Sequence, residues 1–169
     1  MIKHKTIDND ELMESLCNDL NDAPDIRYLS ISSHLYVEYY LNELIRLKFD
    51  EAKLIIDESE LGSFNNKFLI LQALGIFRDK ATLISNINLL RSIRNFYAHN
   101  LLISNPLPEE VKSRIKQLKY MDEKGNETEY DVPWEEHIDP HKAQFHCCAF
   151  SAIRVLQELV WSLEGKKLG

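Results

Sequence analysis

Apolar residues recur at three- and four-residue intervals along most of this chain, and the runs are cut by proline, glycine and asparagine. That spacing lays a stripe along one side of an α-helix, whereas a half-buried strand needs strict alternation. The expected fold is therefore all-α. The first run covers 8–20, where Leu12, Met13, Leu16, Cys17 and Leu20 form the stripe before Asp22-Ala23-Pro24 breaks it. A longer helix is expected over 25–48, with Leu35, Val37, Leu41, Leu44 and Ile45 inward, followed by a short turn at 54–56. Gly62-Ser63 offers a helix start ahead of Phe64, and Gly75 a helix end. Further helices are expected over 80–99, 109–119 and 141–163, the last burying Phe145, Cys148, Ala152, Val155, Leu156 and Leu159. Asn100 falls at the end of the first of these three, and Pro106 and Pro108 mark the loop after it. Near 120–135 the period lapses, and Lys124-Gly125-Asn126 sits in what reads as a small loop or hairpin insertion. The sum is a bundle of about five to six helices.

The chain is 169 residues long and 44% hydrophobic, enough to bury a core as one domain spanning 1–169. No apolar run approaches the ~18 residues needed to span a bilayer. Residues 1–14 are polar and acidic, unlike a secretory signal, so no membrane association is expected. Cys17 and the adjacent Cys147-Cys148 make an odd count and no disulfide framework, which fits a reducing cytoplasm.

One segment carries more than packing information: residues 81–100, ATLISNINLLRSIRNFYAHN. With Leu83 as origin and ~100° per residue, Leu83, Ile87, Leu90, Tyr97 and Ala98 cluster within about 60°, and Arg94 falls among them at about 20°. A lone charge inside an apolar stripe is paired or lines a cleft. The opposite side carries Ser85, Asn88, Ser92, Asn95 and His99, with no acid and no lysine, which reads as a contact face. Arg94 and His99 lie about 140° apart on an ideal helix and so do not share one face. Two readings follow from spacing alone. Either Arg94 pairs with a carboxylate and His99 caps the helix, or both serve a cleft.

Arg94-Asn95-Phe96-Tyr97-Ala98-His99 resembles the R-N-x-x-x-H motif of the HEPN superfamily of small helical proteins. The stretches Gly62-Ser63-Phe64, 69–77 and 89–99 resemble the corresponding segments of its mannitol-operon repressor-like branch, as does the early helix containing Ser33-His34-Leu35 and Glu43-Leu44. The likeness covers roughly residues 28–103. It implies a HEPN-like up-and-down helical bundle that forms homodimers. Many members are metal-independent endoribonucleases of toxin or defence type, with the two motifs facing each other across the dimer axis. Carried onto this chain, Arg94 and His99 are the catalytic residues and Asn95 and Arg91 bind substrate. No cofactor and no metal are implied. Other members, the repressor-like branch included, act as non-enzymatic regulators through a protein partner. Some HEPN toxins carry a Tyr-x-Tyr after the histidine that an antitoxin modifies. Here His99 is followed by Asn100-Leu101-Leu102-Ile103, so that particular antitoxin partnership is not expected.

The residue types suit the chemistry. An RNA 2′-hydroxyl attacks its neighbouring phosphate when a base near neutral pKa takes the proton and a cation meets the developing charge. Histidine is the group for the first task and arginine for the second.

The remaining constellations are weaker. His34 is either an accessory polar group of the cleft or a satisfied packing residue. Tyr36, Tyr39 and Tyr40 either stack on bases or pack the bundle. His137, His141, His146, Cys147 and Cys148 match no zinc spacing, and Cys148 is expected in the core. No glycine-rich phosphate loop is present.

A net charge of −7 argues at first against a nucleic-acid partner. Divided along the chain it reads differently. Residues 1–60 hold 6 basic and 14 acidic groups, and residues 101–169 hold 9 and 12. Residues 61–100 hold 5 basic groups against Asp79 alone, for a local +4. The basic stretch is the one with the motif and can hold a phosphate locally, while the acidic remainder fits a protein that grips a short RNA segment, or a basic protein partner.

Overall fold

The computed structural model describes residues 9–58, 61–100, 106–129 and 139–165. These form seven helices: α1 (Asn9–Asn21), α2 (Ile26–Lys48), α3 (Ala52–Ile56), α4 (Phe64–Ala73), α5 (Ala81–His99), α6 (Glu109–Gln117) and α7 (Pro140–Leu163). Among the described residues there is no strand, and one isolated antiparallel bridge joins Met121 to Glu127. The all-α expectation therefore holds. The count exceeds five or six because the turn expected at 54–56 closes as the one-turn helix α3.

Helix starts follow from side chains that accept the otherwise unpaired first amides. Asp25 Oδ1 accepts from the Tyr28 amide at 2.8 Å and starts α2. Ser63 Oγ accepts from the Asn66 amide at 3.3 Å and starts α4. Asp139 Oδ1 accepts from the His141 amide at 2.8 Å, with Pro140 at the first helical position of α7. Gly75, just past α4, takes a φ of 74°, a left-handed turn open to glycine at no steric cost.

The core gathers around α2 and α7. Helix α2 packs on α1, α3, α4, α5 and α7, and α7 also meets α5 and α6. Val37, Tyr40, Leu41 and Leu44 of α2 are buried with Phe145, Ala152, Ile153 and Leu156 of α7. Ser30 and Ser33 tolerate burial because each hydroxyl donates to a carbonyl one turn back, both at 2.7 Å. Leu35, expected inward, is 61% exposed. It lies about 160° around the helix from Val37, on the side that no neighbouring helix covers. Tyr28 and Ile31 are exposed with it, one turn apart, so α2 shows an apolar stripe outward as well as a core face.

The expected insertion is a tight hairpin over its described part. The Asp122 amide donates to the Asn126 carbonyl at 3.0 Å, and the Thr128 amide to the Tyr120 carbonyl at 3.1 Å. Its remainder, 130–135, lies outside the described residues. The hairpin is moored to α5 by Asn86, which is fully buried. Asn86 Nδ2 donates to the Lys119 carbonyl at 2.6 Å, and its Oδ1 accepts from the Lys119 amide at 3.1 Å.

Candidate functional site

Helix α5 serves the core along one side and a cleft along the other. Its buried residues are Leu83, Asn86, Ile87, Leu90, Ile93 and Tyr97. On the wheel with Leu83 at zero, the first half uses both flanks, while Ile93 and Tyr97 lie at about −80° and −40°. The buried stripe thus swings away from the positive side over the last two turns. Arg94 and Ala98, expected inside the stripe, fall outside it: Arg94 is half-buried and Ala98 exposed.

The face released by this swing lines an open cleft of about 530 Å³. Arg91, Arg94, Asn95 and His99, the four site residues expected from the sequence, all border it. Arg94 and His99 do not share a helix face, yet one cleft reaches both because it wraps the uncovered side of the last two turns. Its other walls are His34 from α2, the start of α4 at Ser63, Phe64 and Asn65, and Glu110 and Arg114 from α6. Ser92, from the acid-free polar face, lines it too, while Ser85 is exposed elsewhere and Asn88 bonds back to the Ile84 carbonyl at 3.0 Å.

The electrostatics of this cleft are lopsided. Arg91 Nη1 donates to Asn65 Oδ1, and Arg94 Nη1 donates to Asn95 Oδ1 at 3.2 Å. Among the described residues neither guanidinium forms an ion pair. Of the α2 carboxylates, Glu38 pairs with Lys67 at 3.0 Å and Glu43 with Arg46. Arg114 is different. It pairs with Glu110 and reaches the Ser92 carbonyl at 3.3 Å. The local +4 is also only partly aimed at the cleft, since Lys67 is 4% exposed against Glu38 and Lys80 donates to the Lys124 carbonyl at 2.6 Å.

His34 is the buried titratable group of the cleft. It is 7% exposed, its ring stacks on Phe64 with centroids 4.4 Å apart, and its Nδ1 has no hydrogen-bond partner. Burial first, and then the Arg94 cation, push its pKa down to about 4; Arg91 adds to the effect and Glu38 opposes it. The ring is thus neutral at physiological pH. His34 borders the cleft while packing on Phe64, with one ring nitrogen unsatisfied.

This shift carries a stability signature. Above pH 6.5, the ordinary histidine value, the imidazole is neutral both folded and unfolded and has no effect. Below 6.5 the unfolded chain binds a proton that the folded protein refuses until about 4, so stability falls across that window. His146, lowered by burial and then by Lys142, acts in the same direction. His34→Phe is expected to flatten the decline between pH 6.5 and 4, read from urea midpoints against pH. Identical curves for the two proteins would show that His34 is not held neutral.

The tyrosines of α2 do not reach the cleft. Tyr36 donates to Asp19 Oδ2 at 2.8 Å, and Tyr40 is buried with its hydroxyl on Met13 Sδ at 3.8 Å. Tyr39 meets Tyr40 edge-on at 5.3 Å. These are packing contacts, and the aromatic rings of the cleft are instead Phe64 and Phe96. No three of the described His, Cys, Asp and Glu residues converge as a metal site would require, and His137 lies outside the described residues. Cys148 is buried in the core as expected, its thiol pushed up to about 12 by burial.

Sequence spacing did not point to Arg114, Asn65, Phe64 or Phe96 as site residues. Arg114, Asn65 and Phe64 reach the cleft through helix packing over long sequence distances, which no local period encodes, while Phe96 lies on α5 within the motif itself. No described helix is long and apolar enough to cross a membrane. No family model matches this chain, nor does any curated protein or solved structure. The HEPN likeness therefore stands on the quoted residues alone.

Proposed function

We propose that this protein is a metal-independent endoribonuclease of toxin or defence type. The observation that carries this reading is the convergence of Arg91, Arg94, Asn95 and His99 on one open cleft whose first two cations lack carboxylate partners. A half-buried guanidinium without a counter-ion suits an anionic ligand, and its planar fork fits two phosphate oxygens. Arg94 then holds the scissile phosphate and meets the charge that grows on it. His99 exchanges the proton of the 2′-hydroxyl or of the leaving oxygen. Asn95, bonded to Arg94, sets the direction of the guanidinium. In a homodimer the second His99 supplies the complementary acid or base.

The test is cleavage of a single-stranded oligoribonucleotide by the purified protein in EDTA, with products ending in 2′,3′-cyclic phosphate. RNA left intact at high enzyme concentration would count against the proposal.

One observation favours a second reading. Tyr28, Ile31 and Leu35 form an exposed apolar stripe on α2 at helical spacing. A regulator that works by binding another protein would use such a surface. The two readings part on whether a variant lacking His99 loses its biological effect.

A further inference from the structure

One wall of the cleft has no part in the acid–base chemistry: the start of α4, where Phe64 and Asn65 follow each other. Neither belongs to the motif on α5. Asn65 is exposed and Phe64 half-buried, so both reach the surface of the cleft. Phe64 is braced by His34, which stacks on it with ring centroids 4.4 Å and planes 26° apart. A fixed aromatic ring next to a cation is the pairing on which unpaired nucleotides settle, base on ring and backbone on charge.

Asn65 gives this wall a direction. Its Oδ1 accepts from Arg91 Nη1. A guanidinium has donors and no acceptor, so the carboxamide must turn its oxygen to it, which leaves the Nδ2 amino group for another partner. Asn95 repeats the arrangement, its Oδ1 accepting from Arg94 at 3.2 Å. Neither Nδ2 has a partner among the described residues. The two arginines thus orient two exposed amides so that each offers N–H donors. The Ser63 hydroxyl beside Asn65 already accepts from the Asn66 amide, and the Glu110 carboxylate is held by Arg114.

We propose that the start of α4 is a nucleobase subsite, in which an unpaired base stacks on Phe64 while Asn65, together with Asn95, donates to its exocyclic oxygen. The subsite takes a base whose edge carries carbonyl oxygens, uracil first, over adenine, whose amino group would face another amino group. Paired bases are excluded, because their faces and edges are covered within the duplex. The proposal rests on the ribonuclease reading for the class of ligand, single-stranded RNA, but requires no bond to be broken.

The test is fluorescence anisotropy with uncleavable 2′-O-methyl oligoribonucleotides of one length: all-uracil, all-adenine, and an abasic oligomer with the same phosphates. The uracil oligomer is expected to bind roughly tenfold or more tightly than the abasic one, the scale of one stacked base. It should also bind several-fold more tightly than the adenine oligomer. Stacking alone favours the larger purine, so this order reports the amide donors. Phe64→Leu should lose most of the gap between uracil and abasic oligomers, and Phe64→Tyr should recover it. Abasic binding that is unchanged in both variants shows that the fold and the backbone contacts are intact. Asn65→Asp keeps an acceptor for Arg91 but puts an oxygen where the donor was. Its added charge weakens all binding, and the ratio of uracil to adenine affinity should fall to one or below. Equal binding of the uracil and abasic oligomers, adenine bound as tightly as uracil, an undiminished gap in Phe64→Leu, a ratio unmoved in Asn65→Asp, or no binding at all would each overturn the proposal. If RNA is cut in EDTA while the three oligomers bind alike, the nuclease reading stands and the subsite falls. If they bind in the expected order while RNA stays intact, the subsite stands and the nuclease reading falls.

Discussion

His99→Ala is expected to slow RNA cleavage in EDTA roughly 10²–10⁴-fold at neutral pH, the usual contribution of a positioned acid or base. His99 is exposed at the last turn of α5, so its removal leaves no cavity and breaks no buried contact. Thermal stability of the variant should match the wild type, and the loss must then lie in chemistry. Arg94→Ala should cost about 10²–10³-fold, the scale of removing one preorganised donor to a charged transition state. Arg94→Lys keeps the charge but not the fork, and should recover only part of that loss. Single-turnover rates with one oligoribonucleotide measure all three. A His99→Ala protein that cleaves at the wild-type rate leaves no room for the proposed mechanism, since a guanidinium stays protonated at neutral pH and cannot serve as the base.

The largest expected loss of stability comes from Asn86→Leu, at roughly 2–6 kcal/mol. Asn86 answers both the amide and the carbonyl of Lys119 from inside the core. Leucine matches its size but answers neither, and leaves two backbone groups without partners. Each such orphan costs about 1–3 kcal/mol, which adds up to the stated range. A melting temperature lower by about 2–4 °C per kcal/mol should follow for a domain of this length. Asn88→Ala is the matched control. Its side chain bonds only within its own helix at a half-buried position, and its change should stay within about 0.5 kcal/mol. Equal melting temperatures for Asn86→Leu and Asn88→Ala would show that the Lys119 clamp adds nothing.

Helix positions were legible because burial of one side is a local, periodic demand. Leu12, Leu16 and Leu20 in α1 and Val37, Leu41, Leu44 and Ile45 in α2 sit where that demand places them. Leu35 was misread because an apolar residue satisfies the period equally well on an uncovered face, and only the positions of the neighbouring helices decide which face is covered. Arg94 was misread for a related reason. A wheel assumes one stripe direction for a whole helix, whereas the buried side of α5 turns where the walls of the cleft replace the core. Asn86 carried no signal, since asparagine in a helix reads as polar surface until a distant backbone is placed against it. Of the cleft, the arginines and His99 were visible through the motif, while Arg114 and Asn65 needed the packing of α4 and α6 to bring them in.

The pairing of Lys67 with Glu38 also sets the charge around His34. Glu38 and Arg94 act on the ring in opposite directions, and Lys67 pairs with the carboxylate at 3.0 Å. Lys67→Met is expected to leave Glu38 without its cation and so to raise the His34 pKa from about 4. A lysine that does not line the cleft thus tunes the charge of a group that does.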